Sequence, residues 1–194
     1  MKKFERLSPE QRKMEIRRAA MTLFLQKGFR ATTMENIVSR VSLSKGGVYR
    51  LYGSTEAILE DLILEGMRLR NAYYAEEIQK LSRKDLTLRK IVTVVADSLL
   101  IHEDFSRVYV EFLWEKQRSP RLEALYRHIC QVSVEETTEL ILSCGAEKIL
   151  LEDESRIGKL TDLMNTAILG IRVLGLDPAE FRDKITDTVL NLLL

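Results

Sequence analysis

The sequence predicts an all-α protein of about nine helices, with an N-terminal three-helix helix-turn-helix domain followed by a larger helical bundle. Three observations predict it. Apolar residues recur at helical spacing almost throughout the 194 residues. Only three prolines and nine glycines interrupt them. The charge is also unevenly shared. Residues 1–52 hold twelve Lys/Arg against four Asp/Glu, whereas 53–194 hold eighteen against twenty-five, so a formal net charge of +1 conceals a basic lobe joined to an acidic one. The length allows a sizeable core plus a small domain.

The first helix is expected from about Ser8 to Lys27. Ser8 is placed to cap it and Pro9 suits its first position. Ile16, Ala19, Ala20, Leu23 and Phe24 form a one-face stripe, and Gly28 stops the helix with Phe29 folding back on its last turn. A second, short helix is expected from Thr33 to about Val41, with Met34, Ile37, Val38 and Val41 inward. Its cap is either Thr33 itself or Thr32 paired with Glu35 in a capping box. After Ser42-Leu43, a third helix runs from Ser44 to Tyr52, and Gly53 ends it. Ser54 caps a fourth, striped by Ile58, Leu59, Leu62, Ile63 and Met67. Further amphipathic helices are expected near Asp85–Ile101, Glu103–Lys116, Pro120–Ser143, Asp153–Leu174 and Pro178–Leu194, with Asp177-Pro178 the clearest break.

The stretch from Thr33 to Tyr52 has the dimensions of a helix-turn-helix, whose second helix enters the DNA major groove while the first lies across the backbone. Gly46 and Gly47 each cost about 1 kcal/mol of helix propensity relative to alanine, a poor choice if helix stability were the only demand. Near a helix start they leave backbone N–H groups bare and permit close approach to DNA. Lys45, Tyr49 and Arg50 can point outward while Val48 and Tyr52 point into the small core. A lysine there can donate to guanine and a tyrosine hydroxyl can reach a phosphate. A basic lobe suits a polyanion.

These residues resemble the TetR/AcrR family of bacterial transcriptional regulators. The resemblance runs from about Arg12 to Leu59 and rests on Ile16, Ala19-Ala20, Phe24, Gly28, Thr32-Thr33, Ile37, Leu43-Ser44-Lys45-Gly46, Val48-Tyr49, Tyr52, Ser54 and Glu56-Ala57-Ile58-Leu59. It implies a DNA-binding domain over 1–53, with a recognition helix at about 44–52, and an effector-binding and dimerisation domain over 54–194. It implies that Thr33 caps the second helix and touches a phosphate. Ser44 begins the recognition helix, Lys45, Gly46 and Gly47 face base edges, Tyr49 holds the backbone, and Arg50 shares that face. Three positions depart from the common pattern: Ser42 stands where the turn usually has Gly, Gly47 where Thr, Ser or Ala is common, and Thr55 where a phosphate-contacting Lys is common. Lys2, Lys3 and Arg6 form either a compensating arm or a tail without contacts.

The resemblance further implies a homodimer built on the last two helices. Leu160, Leu163, Met164, Ile168 and Ile171, with Phe181, Ile185, Val189 and Leu192, fit that interface or an intramolecular core equally well, as do Ile157 and Leu193. A dimer would set two recognition helices one DNA turn apart, roughly 34–36 Å, on a palindromic double-stranded operator. A pocket for a small-molecule effector of unknown identity is placed among the middle helices, where Phe105, Tyr109, Phe112, Trp114 and Tyr126 concentrate aromatic surface. The same residues also read as plain core. Glu111 and Glu115 lie nearby and read as solvated.

An enzyme is not expected. His102 and His128 are the only histidines, and no HExxH, GxSxG, P-loop or GxGxxG pattern occurs. His128-Ile-Cys130 offers too few ligands for zinc, so neither a metal nor a cofactor is expected. Cys130 and Cys144 read as reduced, buried thiols. No apolar run follows Met1-Lys2-Lys3 as a secretory leader requires, and none approaches the roughly 18–20 residues of a membrane span. The expectation is a cytoplasmic, ligand-responsive repressor; the alternative is an effector-independent architectural DNA-binding protein.

Overall fold

The computed structural model describes residues 8–143, 145 and 155–193. Lys2, Lys3, Arg6, Cys144, Asp153 and Leu194 lie outside the described residues, as do the side chains of Ile157 and Leu193. Nine α-helices and no strand occur among the described residues. They are α1 (Pro9–Lys27), α2 (Met34–Val38), α3 (Lys45–Leu51), α4 (Thr55–Gln79), α5 (Leu88–Ile101), α6 (Glu103–Glu115), α7 (Pro120–Ser143), α8 (Ser155–Leu174) and α9 (Pro178–Leu193), with a 3₁₀ turn at Lys116–Arg118.

Local chemistry sets the boundaries at the N-terminal end. Ser8 caps α1 and Gln11 returns the bond to the Ser8 N–H, a reciprocal box. Gly28 leaves α1 at φ 83°, a value that favours glycine, and its N–H still reaches the Phe24 carbonyl. Phe29 then stacks on Phe24 with ring centroids 5.2 Å apart. Thr33 caps α2, and its reciprocal partner is Asn36 rather than an acidic residue. Thr32, the competing candidate, is buried and donates its hydroxyl to the Gly28 carbonyl at 2.9 Å. That leaves Glu35 free for another task. The helix closes at Val38, shorter than the apolar spacing suggested, because Arg40 and Val41 make three-residue turns back to Ile37 and Val38. The fourth helix is longer than its stripe: it continues twelve residues past Met67, to Gln79.

Two buried clusters organise the molecule. The first gathers Ile16, Phe24, Ile37, Val48, Tyr52 and Ile58 with Val108, Phe112, Leu122 and Ile129, so α1–α4 share one core with α6 and α7. The second joins Tyr74 at the far end of α4 to Ile91, Val94 and Ala96 of α5, Ile141 of α7, and the inward faces of α8 and α9. Leu160, Met164, Ile168, Ile171, Ile185 and Val189 are buried within the protomer, so these six of the residues that fitted either an interface or a core are core, while Leu163 and Phe181 are half-buried. Val173 and Leu174 at the end of α8 remain 66% and 70% exposed, and Leu192 of α9 42%.

Candidate DNA interface and body cavity

The turn before α3 is built from side-chain acceptors. The Ser42 N–H and hydroxyl both donate to the Glu15 carboxylate of α1, at 2.5 and 2.9 Å. No non-glycine residue has positive φ among the described residues, so serine is tolerated where a left-handed turn would require glycine. Ser44 then caps α3 by accepting from the Gly47 N–H at 3.2 Å.

From that cap the helix divides its faces cleanly. Val48 is fully buried and contributes roughly 1.5–3 kcal/mol of apolar burial. Tyr52, 5% exposed, seats the other end of α3 in the core. Its hydroxyl donates to Asp61 of α4, and the same Asp61 oxygen accepts Arg17 of α1 at 2.9 Å. Burial works against the Asp61 carboxylate, yet bonds from Tyr52 and Arg17 outweigh it and hold the carboxyl below the ordinary range. The helix α3 is therefore clamped to two others at its base. Ser44, Lys45, Gly46, Tyr49 and Arg50 are exposed and share the opposite surface, and Gly47 is half-buried there. A Cβ at Gly46 would meet nothing within 4 Å, whereas one at Gly47 would stand 3.3 Å from the Ser44 hydroxyl. Thr33 is exposed beside this surface, its hydroxyl accepting from the Asn36 N–H at 3.3 Å.

Glu35 is the residue of this surface that sequence reasoning missed. Its Oε1 accepts from Lys45 Nζ at 3.3 Å and from the Tyr49 hydroxyl at 3.1 Å. A backbone hydrogen bond at Glu35, then Lys45 and Tyr49, lowers the carboxyl below its usual range. Partial burial and then Glu35 raise the Tyr49 phenol. Spacing could have found it: Glu35 faces α3 because Asn36, not Glu35, completes the cap.

Two carboxylates tie the body to this unit. Glu111 of α6 accepts the Phe29 N–H at 3.2 Å, and Glu115 accepts Arg30 at 2.7 Å. The Glu115 side chain is only 13% exposed, so it serves the junction rather than solvent. From α7, Arg121 Nε reaches Glu60 of α4 at 2.8 Å.

Further into the body a cavity of about 120 Å³ lies between α4, α5, α6, α7 and α8. Phe105 and Tyr109 line it. Phe112 lies deeper, fully buried, and Trp114 is 62% exposed on the outer face, away from the cavity. Tyr126 stands behind the wall, its hydroxyl accepting from Asn165 at 3.3 Å, with Lys116 Nζ 4.0 Å from its ring centre. Burial, then a hydrogen bond with Cys130, pushes the Tyr126 phenol up to about 12. Burial also raises the Cys130 thiol, which faces the cavity. Polar wall residues missed in the sequence include Arg70, Ser98, Glu136 and Asn165. Arg70 was detectable, since it continues the inward series Ile63, Met67, Arg70, Tyr74 along α4.

Among the described residues no group of three or more His, Cys, Asp or Glu could hold a metal ion, and no helix is long and apolar enough to cross a membrane.

Comparison with known proteins agrees with this geometry. The family described as "Bacterial regulatory proteins, tetR family" matches residues 16–62, from the first buried residue of α1 to Leu62 of α4. The uncharacterized HTH-type transcriptional regulator YfiR of Bacillus subtilis is 41% identical over 58 residues, 30% of this chain and 28% of its own. The HTH-type transcriptional regulator UidR of Escherichia coli is 28% identical over 115 residues, 58% of this chain and 56% of its own. The chain thus matches about half or less of the length of these curated relatives. The fold extends further: a transcriptional-regulator structure from Saccharomonospora viridis in complex with choline superposes over 93% of this chain and 96% of its own, with a TM-score of 0.71 at 16% identity. The family match is thus seated on the helices that present Lys45 and Tyr49, and the likeness to the tetR family of bacterial regulatory proteins is carried by residues 16–62.

Proposed function

We propose that this protein is a sequence-specific DNA-binding transcriptional regulator, a ligand-responsive repressor that holds a palindromic operator as a homodimer. One observation carries the reading: α3 is buried and clamped along Val48 and Tyr52 while Lys45, Gly46, Tyr49 and Arg50 stand bare on a basic end. Residues 1–53 read the DNA; residues 54–194 bind the effector and dimerise. Pairing through α8 and α9 is supported by Val173, Leu174 and Leu192, large apolar side chains exposed on those helices. The cavity supports an effector, and its wall residue Phe105 belongs to the helix whose far end carries Glu111 and Glu115. A guest that shifts α6 or α4 therefore bears on the corner at Phe29-Arg30 and on the Asp61 clamp, altering how α3 is held. The protein acts in the cytoplasm and is not an enzyme.

A gel shift with DNA flanking the protein's own gene, repeated across salt concentrations, tests the reading. Retarded bands with a log-linear salt dependence are expected. Lys45→Ala should cost about 1–3 kcal/mol of operator binding without unfolding the chain. Absence of binding to any flanking fragment would refute the reading. Binding that no small molecule alters would instead favour an effector-independent factor.

A further inference from the structure

We propose that the body cavity takes one small uncharged ring bearing a hydroxyl or carbonyl, a guest of the phenol class, and rejects carboxylates and ammonium ions of similar size. This rests on the effector reading above. Three observations carry it: volume, a neutralised charge pair and the hydroxyl groups in the wall.

The volume is about 120 Å³. A cavity of roughly 150 Å³ holds a single benzene ring, so one ring is the natural occupant without rearrangement. Ile63, Phe105, Ile129, Leu160 and Met164 give such a ring apolar walls.

The charged side chains of the wall already satisfy each other. Arg70 Nη2 lies 3.3 Å from Glu136 Oε2, and Asn71 donates to the other Glu136 oxygen at 2.5 Å. Arg70 also donates to the Ser133 hydroxyl at 3.3 Å and lies 5.6 Å from the Tyr74 ring centre. The two side chains are 20% and 29% exposed, so water compensates them poorly. A guest carboxylate could engage Arg70 only by competing with Glu136, leaving that carboxylate short of a counter-charge. An ammonium ion would strand Arg70 in the same way. Either exchange leaves a half-buried charge uncompensated, which a neutral guest avoids.

The hydroxyl groups supply what a neutral guest needs. Ser98 has one proton and spends it on the Val95 carbonyl at 2.6 Å. The 3.2 Å contact between Ser98 and Tyr74 is then donation from the Tyr74 phenol, and because Tyr74 lines the cavity its oxygen keeps lone pairs to accept a guest O–H. Elsewhere in the lining the Tyr109 hydroxyl donates to Asn165 at 3.0 Å, a second neutral polar handle.

The test uses the full chain at pH 8, with phenol, benzoate and choline as probes, read by titration calorimetry and thermal shift. Phenol should bind at least tenfold more tightly than either ion. Glu136→Gln releases Arg70 from its anion, and benzoate should gain at least tenfold relative to phenol; Arg70→Gln should favour choline likewise. Benzoate or choline binding the wild-type chain as tightly as phenol would overturn the neutral-guest assignment while leaving the cavity as a site. If none of the three binds, the effector reading of the cavity falls with it.

Discussion

Lys45 Nζ stands 3.3 Å from Glu35 Oε1, so on the proposed reading the side chain that reads a base would meet DNA already holding an anion. In that reading the carboxylate would have to release Lys45 and Tyr49 as the groove arrives, and it would repel a phosphate approaching out of register. Glu35→Gln should therefore tighten binding to random duplex severalfold and steepen its log–log salt dependence by up to about 0.9, the equivalent of one phosphate. Affinity for the operator should rise less, so the specificity ratio falls. Fluorescence anisotropy on operator and scrambled duplexes at several salt concentrations measures both. Equal gains on the two duplexes would show that Glu35 plays no part in discrimination.

Gly46 and Gly47 separate by substitution. A Cβ at Gly46 enters open space, so Gly46→Ala should preserve or raise folding stability, by up to about 1 kcal/mol, as a helix gains alanine for glycine. Operator affinity should fall at least tenfold if that space is where the DNA comes closest. Gly47→Ala crowds the Ser44 cap at 3.3 Å and should show no such stability gain. Thermal denaturation and anisotropy on the same samples decide it.

The clamp at Asp61 gives folding a pH dependence of known sign. Its carboxyl is depressed in the folded state, so its contribution is complete above the unfolded value near pH 4 and is lost as pH falls through the lower folded value. Asp61→Asn should remove roughly 2–4 kcal/mol at neutral pH, since it leaves Arg17, 8% exposed, with only the exposed Glu10 as a counter-charge. The difference from wild type should shrink towards pH 3. Denaturant midpoints between pH 3 and 7 measure it, and a pH-independent difference would place the Asp61 contribution elsewhere.

Cys130 offers a chemical reading of the cavity. Burial raises its thiol, so alkylation by iodoacetamide at pH 7.5 should run slower than for a free thiol. The rate should climb steeply with pH, and a saturating cavity guest should slow it further. Mass spectrometry of the peptide bearing Cys130 follows the reaction at that residue alone.

Much of this was legible in the residues because it is local. Ser8-Pro9, Gly28-Phe29, Ser44 and Ser54 punctuate the chain through short-range hydrogen bonds, and the structure shows caps where those residues stand. The helix bounded by Pro120 and Ser143 is as the spacing predicted. What periodicity does not reveal is which neighbour covers a face. Trp114 shares the aromatic run of α6 but sits on its outer side, and Phe112 sinks past the cavity into the core. Glu111 and Glu115 read as solvated because nothing local betrays that the corner at Phe29-Arg30 arrives from more than eighty residues away. The end of α4 went unread because Arg70, Asn71 and Glu76 break the apolar stripe, although Arg70 faces inward for a reason that only its partner on α7 supplies.

The buried cluster that runs from Ile16 through Val48 and Ile58 to Phe112 and Ile129 constrains how this protein can be re-engineered. A chimera cut after Gly53 would carry away Val48 and Tyr52 while leaving behind Ile58, Leu62 and Val108, stripping apolar surface from both halves at once. The DNA preference proposed for α3 is therefore not a detachable cartridge. Retargeting should change the outward residues of α3 in place, or transplant α4 and the facing sides of α6 and α7 along with it.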